Sequence, residues 1–287
     1  MKIGLFSFSK DPAITTELLQ RIAAALETQL YRDYAPAWQS NGVPVTVYAT
    51  FDEIPADTSP LLIFDTSGQA RDLGWHSVDA KGKAHGRAFW LPILKHGGDL
   101  LKGAMSLSAT LSHEVLEMVG NPYVNFWCDV GDGSQEALEL CDRVEGDAYD
   151  IDGISVSNFL TPRAFRNGEG PYDFLGLLTE PFEVREGGYA IRRGQDGEVY
   201  DVWSRHYLPW RRELKEQSPR LIARHAEAFA TTQSAQLQKL LPGVSLGTAA
   251  LLVTANEVGV LESTIDADRL HMAIADATPT ETELENA

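Results

Sequence analysis

The sequence is short of cysteine, of basic residues and of long apolar runs, and each shortage removes a class of protein. Only two cysteines, Cys128 and Cys141, occur in 287 residues. Two are too few for a disulfide framework and imply thiols in a reducing compartment. Both read as small buried hydrophobes. For Cys141, which lies among candidate ligands, thiolate ligation is the alternative. Lys and Arg number 24 against 41 Asp and Glu, a formal net charge of −17. A chain this acidic is expected to bind neither nucleic acid nor an anionic membrane. No run approaches the roughly 18 apolar residues that cross a bilayer. Residues 1–10 lack the apolar core of a signal peptide, so the expected compartment is the cytoplasm. A phosphate-cradling glycine loop and a Gly-x-Ser-x-Gly nucleophile elbow are also missing.

The acidic excess is not spread evenly. Residues 101–180 carry 4 basic and 14 acidic groups, more than half of the whole imbalance. Nine carboxylates stand between Asp129 and Asp152 against the single Arg143. Such a run is either a solvated acidic loop or a set of groups neutralised by a bound cation, because clustered carboxylates repel one another. Within it, Asp147-Ala148-Tyr149-Asp150-Ile151-Asp152-Gly153 hints at calcium but lacks the alternating ligands and terminal Glu of the twelve-residue calcium loop.

Periodicity outlines an α+β fold. Residues 2–7 predict a strand. From the Asp11-Pro12 cap to about residue 34 the spacing of Ile14, Leu18, Leu19, Ile22, Ala25, Leu26 and Leu30 predicts a helix. Residues 43–51 and 60–65 are β-rich. Segments 74–78 and 87–91 flank a polar stretch and predict a hairpin or sheet edge. Ser106 or Ser108 caps a helix running to Val119, which Gly120-Asn121-Pro122 ends. Further on come a short helix or turn at 135–141, a strand at 153–158, and a hairpin over 181–204. That hairpin comprises strands at 182–185, 189–193 and 198–203, with its turn at Gly194-Gln195-Asp196-Gly197. Leu221, Ile222, His225, Phe229, Leu237 and Leu241 predict an amphipathic helix beyond the change of composition near Pro209. The organisation is thus a domain over 1–205, a helical C-terminal extension over 206–275, and a disordered acidic tail over 276–287.

Chemistry concentrates in Ser112-His113-Glu114-Val115-Leu116-Glu117. On metallopeptidase helices the pattern His-Glu-x-x-His places two imidazoles one turn apart on zinc, with the intervening Glu as general base. Here Glu117 stands where the second His would be, still on the same helix face as His113. A carboxylate is a legitimate zinc ligand. The expected ligands are His113, Glu117 and, from Glu136-Ala137-Leu138-Glu139-Leu140-Cys141-Asp142, Glu139. Asp142 is expected to hydrogen-bond His113 from behind, Glu136 to be the reserve ligand, and Glu114 to take a proton from water in the open position. One imidazole and two carboxylates leave a divalent ion formally neutral, a weaker Lewis acid than a His-His-Glu set. Oxygen-rich ligation also makes manganese, iron or calcium competitive with zinc. Trp75 and His76 on the edge segment are expected to touch an extended peptide. Tyr189 and His206 are available to an oxyanion but more often such residues only pack.

The element order before the helix resembles the zincin metallopeptidase core over residues 1–160. The helix motif, together with Asn121-Pro122, the segment from Ala137 through Glu145, and Val156-Ser157-Asn158-Phe159-Leu160, more closely resembles a largely uncharacterised family of bacterial and phage proteins. These share the His-Glu-x-x-Glu helix, and the likeness runs through Gly187-Gly188-Tyr189. The resemblance implies a zincin-like mixed sheet with a backing helix and an active-site helix, and a site holding His113, Glu114, Glu117 and Glu139. The resemblance implies no particular reaction. From the helix motif, the leading functional expectation is a metal-dependent hydrolase acting on a peptide or protein, with a hydrolase of a small amide as a further reading. The alternative is a non-catalytic interaction protein with a degenerate site, such as a virion-associated phage component with an assembly partner.

Overall fold

Short apolar runs at the N-terminal end build a mostly parallel sheet. The computed structural model describes residues 1–66, 73–79, 82–166 and 168–204. The helical extension over 206–275, the tail over 276–287 and His206 lie outside the described residues. Strands β1 (Ile3–Ser7), β2 (Val45–Val47), β3 (Ser59–Phe64), β4 (Gly74–Val78) and β5 (Ala84–Phe89) form one sheet in the order β2-β1-β3-β5-β4. The first four in that order run parallel, and β4 lies antiparallel on the outside of β5. Every residue of β3 is buried. Leu61 and Ile63 join the main core on one face, and Leu62 and Phe64 meet Phe6, Phe8, Phe51 and Phe89 on the other. A strand covered on both sides explains the unbroken Leu-Leu-Ile-Phe run.

Helix α1 (Thr16–Thr28) backs this sheet. It starts later than the sequence suggests. The Asp11 carboxylate closes a local turn on Ala13 N at 2.8 Å, and Thr15 takes the cap by accepting from Leu18 N at 3.1 Å. The chain continues through a wide π-helical turn, Gln29–Tyr34, into α2 (Ala35–Trp38). The expected strand at 43–51 shrinks to β2, because Thr50 and Glu53 form a capping box that winds Phe51–Glu53 into a 3-10 turn. Similarly β5 stops at Phe89, and residues expected to extend it become α3 (Trp90–Lys95), with Pro92 in its first turn.

Beyond the motif helix α4 (Leu107–Gly120) the chain departs further from the expected elements. The expected helix or turn at 135–141 is instead strand β7 (Gln135–Ala137), held between β6 (Trp127–Asp129) and β10 (Tyr189–Arg193). Leu138–Cys141 then leads into a 3-10 turn at Asp142–Val144. Local helix propensity in Glu-Ala-Leu-Glu-Leu loses to tertiary pairing: Glu136 stands opposite Arg192, and Ala137 packs with Tyr189 and Ile191. Strands β8 (Ala148–Ile151) and β9 (Ile154–Ser157) form a tight hairpin. Asp152 and Gly153 turn it with φ of 49° and 78°, so the stretch that hinted at calcium is a two-residue turn. The hairpin of β10 and β11 (Val199–Trp203) forms as expected, but 182–185 is irregular, with Phe182 at φ 59°. No helix among the described residues is long and apolar enough to cross a membrane.

Candidate metal centre

Helix α4 is buried along twelve consecutive residues, Leu107 to Met118. Such a helix must satisfy its polar side chains inside the protein. Ser106 caps it, accepting from Ala109 N at 3.1 Å. Ser112 Oγ donates to Gln29 Oε1 at 2.7 Å and accepts from Ser157 N at 2.9 Å. Gln29 Nε2 in turn donates to Ser157 O at 2.8 Å, so the π-helical turn locks α4 against β9. At the far end Asn121 donates to Leu138 O at 3.1 Å and accepts from Asn125 N, which fixes the segment carrying Glu139 to the helix terminus. On the opposite side β4 comes unusually near. A Cβ at Gly74 would lie 2.7 Å from Thr110 Cγ2 and 2.8 Å from Glu114 Oε1, so only glycine permits this approach.

These elements converge on one buried cluster. His113 Nε2 lies 3.1 Å from Glu117 Oε1 and 3.1 Å from Asp142 Oδ1. The other oxygen, Glu117 Oε2, lies 3.2 Å from Nδ1 of His76. That same Nδ1 is 3.5 Å from Glu114 Oε2, and His76 Nε2 is 3.7 Å from Glu139 Oε2. Two sets of three residues have ligand atoms all within 4.8 Å of one another: His113, Glu117 and Cys141, and His76, Glu117 and Glu139. Glu117 belongs to both. Of the three ligands expected from the sequence, His113 and Glu139 therefore fall on different sides of Glu117.

Burial makes this cluster electrostatically costly. His76, Glu117, Asp142, Glu114, Glu139 and His113 are all at most 5% exposed. Burial alone would depress His76, but the carboxylates of Glu139, Glu114 and Glu117 outweigh it and raise its pKa to about 9. His113 behaves alike: against the effect of burial, Glu117, Asp142 and Glu114 raise it to about 10. Burial pushes the Cys141 thiol far up, and Glu117 adds to the rise, so its sulfur stays protonated unless a cation displaces the proton. A divalent ion fits these residues on one geometric observation. Both ring nitrogens of His76 and Oε2 of Glu114 are buried without a hydrogen bond, although acceptors and donors surround them. His76 Nδ1 stands 3.2 Å from Glu117 Oε2 and 3.5 Å from Glu114 Oε2, so the three side chains meet at close range.

The remaining expected site residues sit elsewhere. Glu136 is buried between Arg143, 3.0 Å away, and Arg192, 3.1 Å away, an ion triad outside the cluster. Trp75 alternates to the opposite face of β4 from His76 and lies against Arg87, 4.8 Å from its ring, and edge-on to His85. Tyr189 stacks on Trp203 with centroids 5.1 Å apart. Sequence reasoning placed His76 against substrate and missed its place beside the Glu117 carboxylate. The alternation of β4, which puts His76 on the face of Gly74, was the available signal. Access is narrow: the opening lined by Leu73, Gly74, Thr110, His113, Glu114 and Glu145 holds little more than a water molecule. Compared with models of known protein families, with curated proteins and with solved structures, the chain finds no match.

Proposed function

We propose that the protein is a metal-dependent hydrolase with a zincin-like arrangement, its metal ligands drawn from His76, His113, Glu117 and Glu139. The observation that carries this reading is the position of Glu117, buried between two imidazoles. A sheet with three parallel neighbours, an antiparallel edge strand and a following helix that bears the motif supports the zincin-like reading. A bound divalent ion, zinc or manganese by its ligand types, would supply Lewis acidity and offset the buried carboxylates. The protein's own contribution is positional. Glu114, which lines the opening and whose Oε2 lies 3.5 Å from His76 Nδ1, would accept a proton from water in the cleft and return it to a leaving amine. Asp142 Oδ1 stands 3.1 Å from His113 Nε2, the nitrogen that also faces Glu117, so it shares that side of the ring instead of backing it as the sequence suggested. The outer edge of β4 offers backbone groups to an extended peptide.

Metal analysis of the purified protein, paired with cleavage of a mixed peptide library, tests this. Glu117→Ala should lose bound metal, whereas Glu114→Gln should keep it and lose 10²-fold or more in turnover, the usual size of a general-base contribution. Protein that neither carries nor takes up a divalent ion would refute the proposal. One observation favours a second reading: the narrow opening suits a structural cation in a non-catalytic interaction or assembly protein. Stoichiometric metal with no cleavage of any peptide, in wild type and variants alike, would select it.

A further inference from the structure

We infer that the cluster is built for two divalent cations bridged by the carboxylate of Glu117. This rests on the metal-site reading above and goes beyond it in the number of ions and in the role of His76. Two ligands of one ion, each about 2.0–2.3 Å from it, cannot stand more than about 4.6 Å apart. His113 and Cys141 meet that limit, to within a few tenths of an ångström, on the Oε1 side of Glu117; His76 and Glu139 meet it on the Oε2 side. Glu117 alone is common to both sets. Its two oxygens approach different imidazoles, Oε1 that of His113 at 3.1 Å and Oε2 that of His76 at 3.2 Å. Asp142 completes the first side, 3.1 Å from His113 Nε2, and Glu114 stands on the second, 3.5 Å from His76 Nδ1.

Charge points the same way. Glu114, Glu117, Glu139 and Asp142 are each no more than 2% exposed and carry four negative charges when ionised. With His76 and His113 neutral as ligands, two divalent ions would match those four charges. His76 supplies an observation independent of the acidic groups. It is fully buried, it comes from a different element, and neither ring nitrogen makes a hydrogen bond. The inference also accounts for the departure from His-Glu-x-x-His. The nitrogens of an imidazole point away from each other across the ring, so a His at position 117 would serve one ion. A carboxylate holds two at the roughly 3.5–4 Å separation of two-metal hydrolytic sites.

The test uses the full chain, stripped of metal and reloaded separately with Mn²⁺ and Zn²⁺. Elemental analysis counts the ions, and electron paramagnetic resonance of the Mn²⁺ form reports whether they interact. Two ions per chain with an exchange-coupled manganese spectrum are expected. In His76→Gln the count should fall to one and the spectrum to an isolated six-line signal, with His113 still loaded. One ion per wild-type chain overturns the bridge while leaving a mononuclear site. No ion of either kind overturns the metal-site reading as well. Two ions without exchange coupling, or two coupled ions persisting in His76→Gln, overturn the bridging geometry or the ligand role of His76 respectively. Should His76→Gln fail to fold by circular dichroism, the count and spectrum of the wild type still decide the matter.

Discussion

Among the described residues, two buried groups of charged side chains, around Glu136 and around Glu117, are built on opposite plans. Around Glu136 each charge meets its opposite. Burial pushes the Glu136 carboxyl up, and the Arg143 and Arg192 guanidinium groups hold part of the rise back. Arg143 also donates to Ala164 O at 3.0 Å and lies over the rings of Phe165 and Phe182. Around Glu117 the contacts are between carboxylates and imidazoles, and two histidines are driven well above their ordinary range. A buried Glu facing a guanidinium is a structural member. A buried Glu facing imidazoles in the company of further carboxylates is the arrangement on which the proposed cation site rests.

The difference can be broken most forcefully on the neutralised side. Arg143→Ala should strip Glu136 of a partner and cost about 3–5 kcal/mol in urea unfolding. The fraction that folds should bind metal unchanged. An Arg143→Ala protein as stable as wild type would contradict the structural role of the triad.

A histidine pair sharpens the contrast on a single hairpin. His76 and His85 lie on adjacent strands, β4 and β5, with side chains on opposite faces. Burial, reinforced by Arg87, lowers His85 to about 3. The unfolded chain titrates near 6.5, so it takes up the proton first as pH falls. This contribution to stability is whole above pH 6.5 and drains away towards pH 3. At about 1.4 kcal/mol per pH unit, the protein should lose about 2 kcal/mol from this residue between pH 6.5 and pH 5. His85→Asn should flatten that slope, and equal slopes in both proteins would count against the assignment.

A smaller effect separates the two sites by titration. In metal-free protein, Glu117→Gln takes away the carboxylate that both His76 and His113 face, so both imidazoles should titrate at lower pH. Glu136→Gln, the same chemical change nineteen positions along, should leave them where they are. NMR titration of the imidazoles after chelation measures the pair, and equal shifts in both variants would erase the distinction between the two sites. At the surface, Lys2→Ala should change nothing measurable, because Lys2 and its partner Asp57 are both mostly in solvent.

Much of the fold was legible because hydrophobic spacing reports which faces are covered. The strands at Ile3, Pro60 and Gly74, the helix capped at Ser106 and the hairpin at Tyr189 all carry their own patterns. What stayed hidden depended on partners distant in the chain. Nothing in Glu136-Ala137-Leu138-Glu139 announces that Arg192 will claim the first Glu and that the second will face His76. The helix pattern of the metal motif named His113, Glu114 and Glu117. The strand histidine lay on another element, where alternation puts it on the face of Gly74 but does not say what that face meets.

Strand β4 occupies the outermost position of its sheet and also bears His76. A chain that adds itself along its outer margin, which pairs with no other strand among the described residues, would therefore stiffen the very backbone from which the imidazole hangs. If the proposed ion is bound there, linkage runs both ways: whatever factor the incoming segment adds to ion affinity, the ion must add to the affinity for the segment. Loading and docking would rise and fall together, without any part of the guest touching the ion.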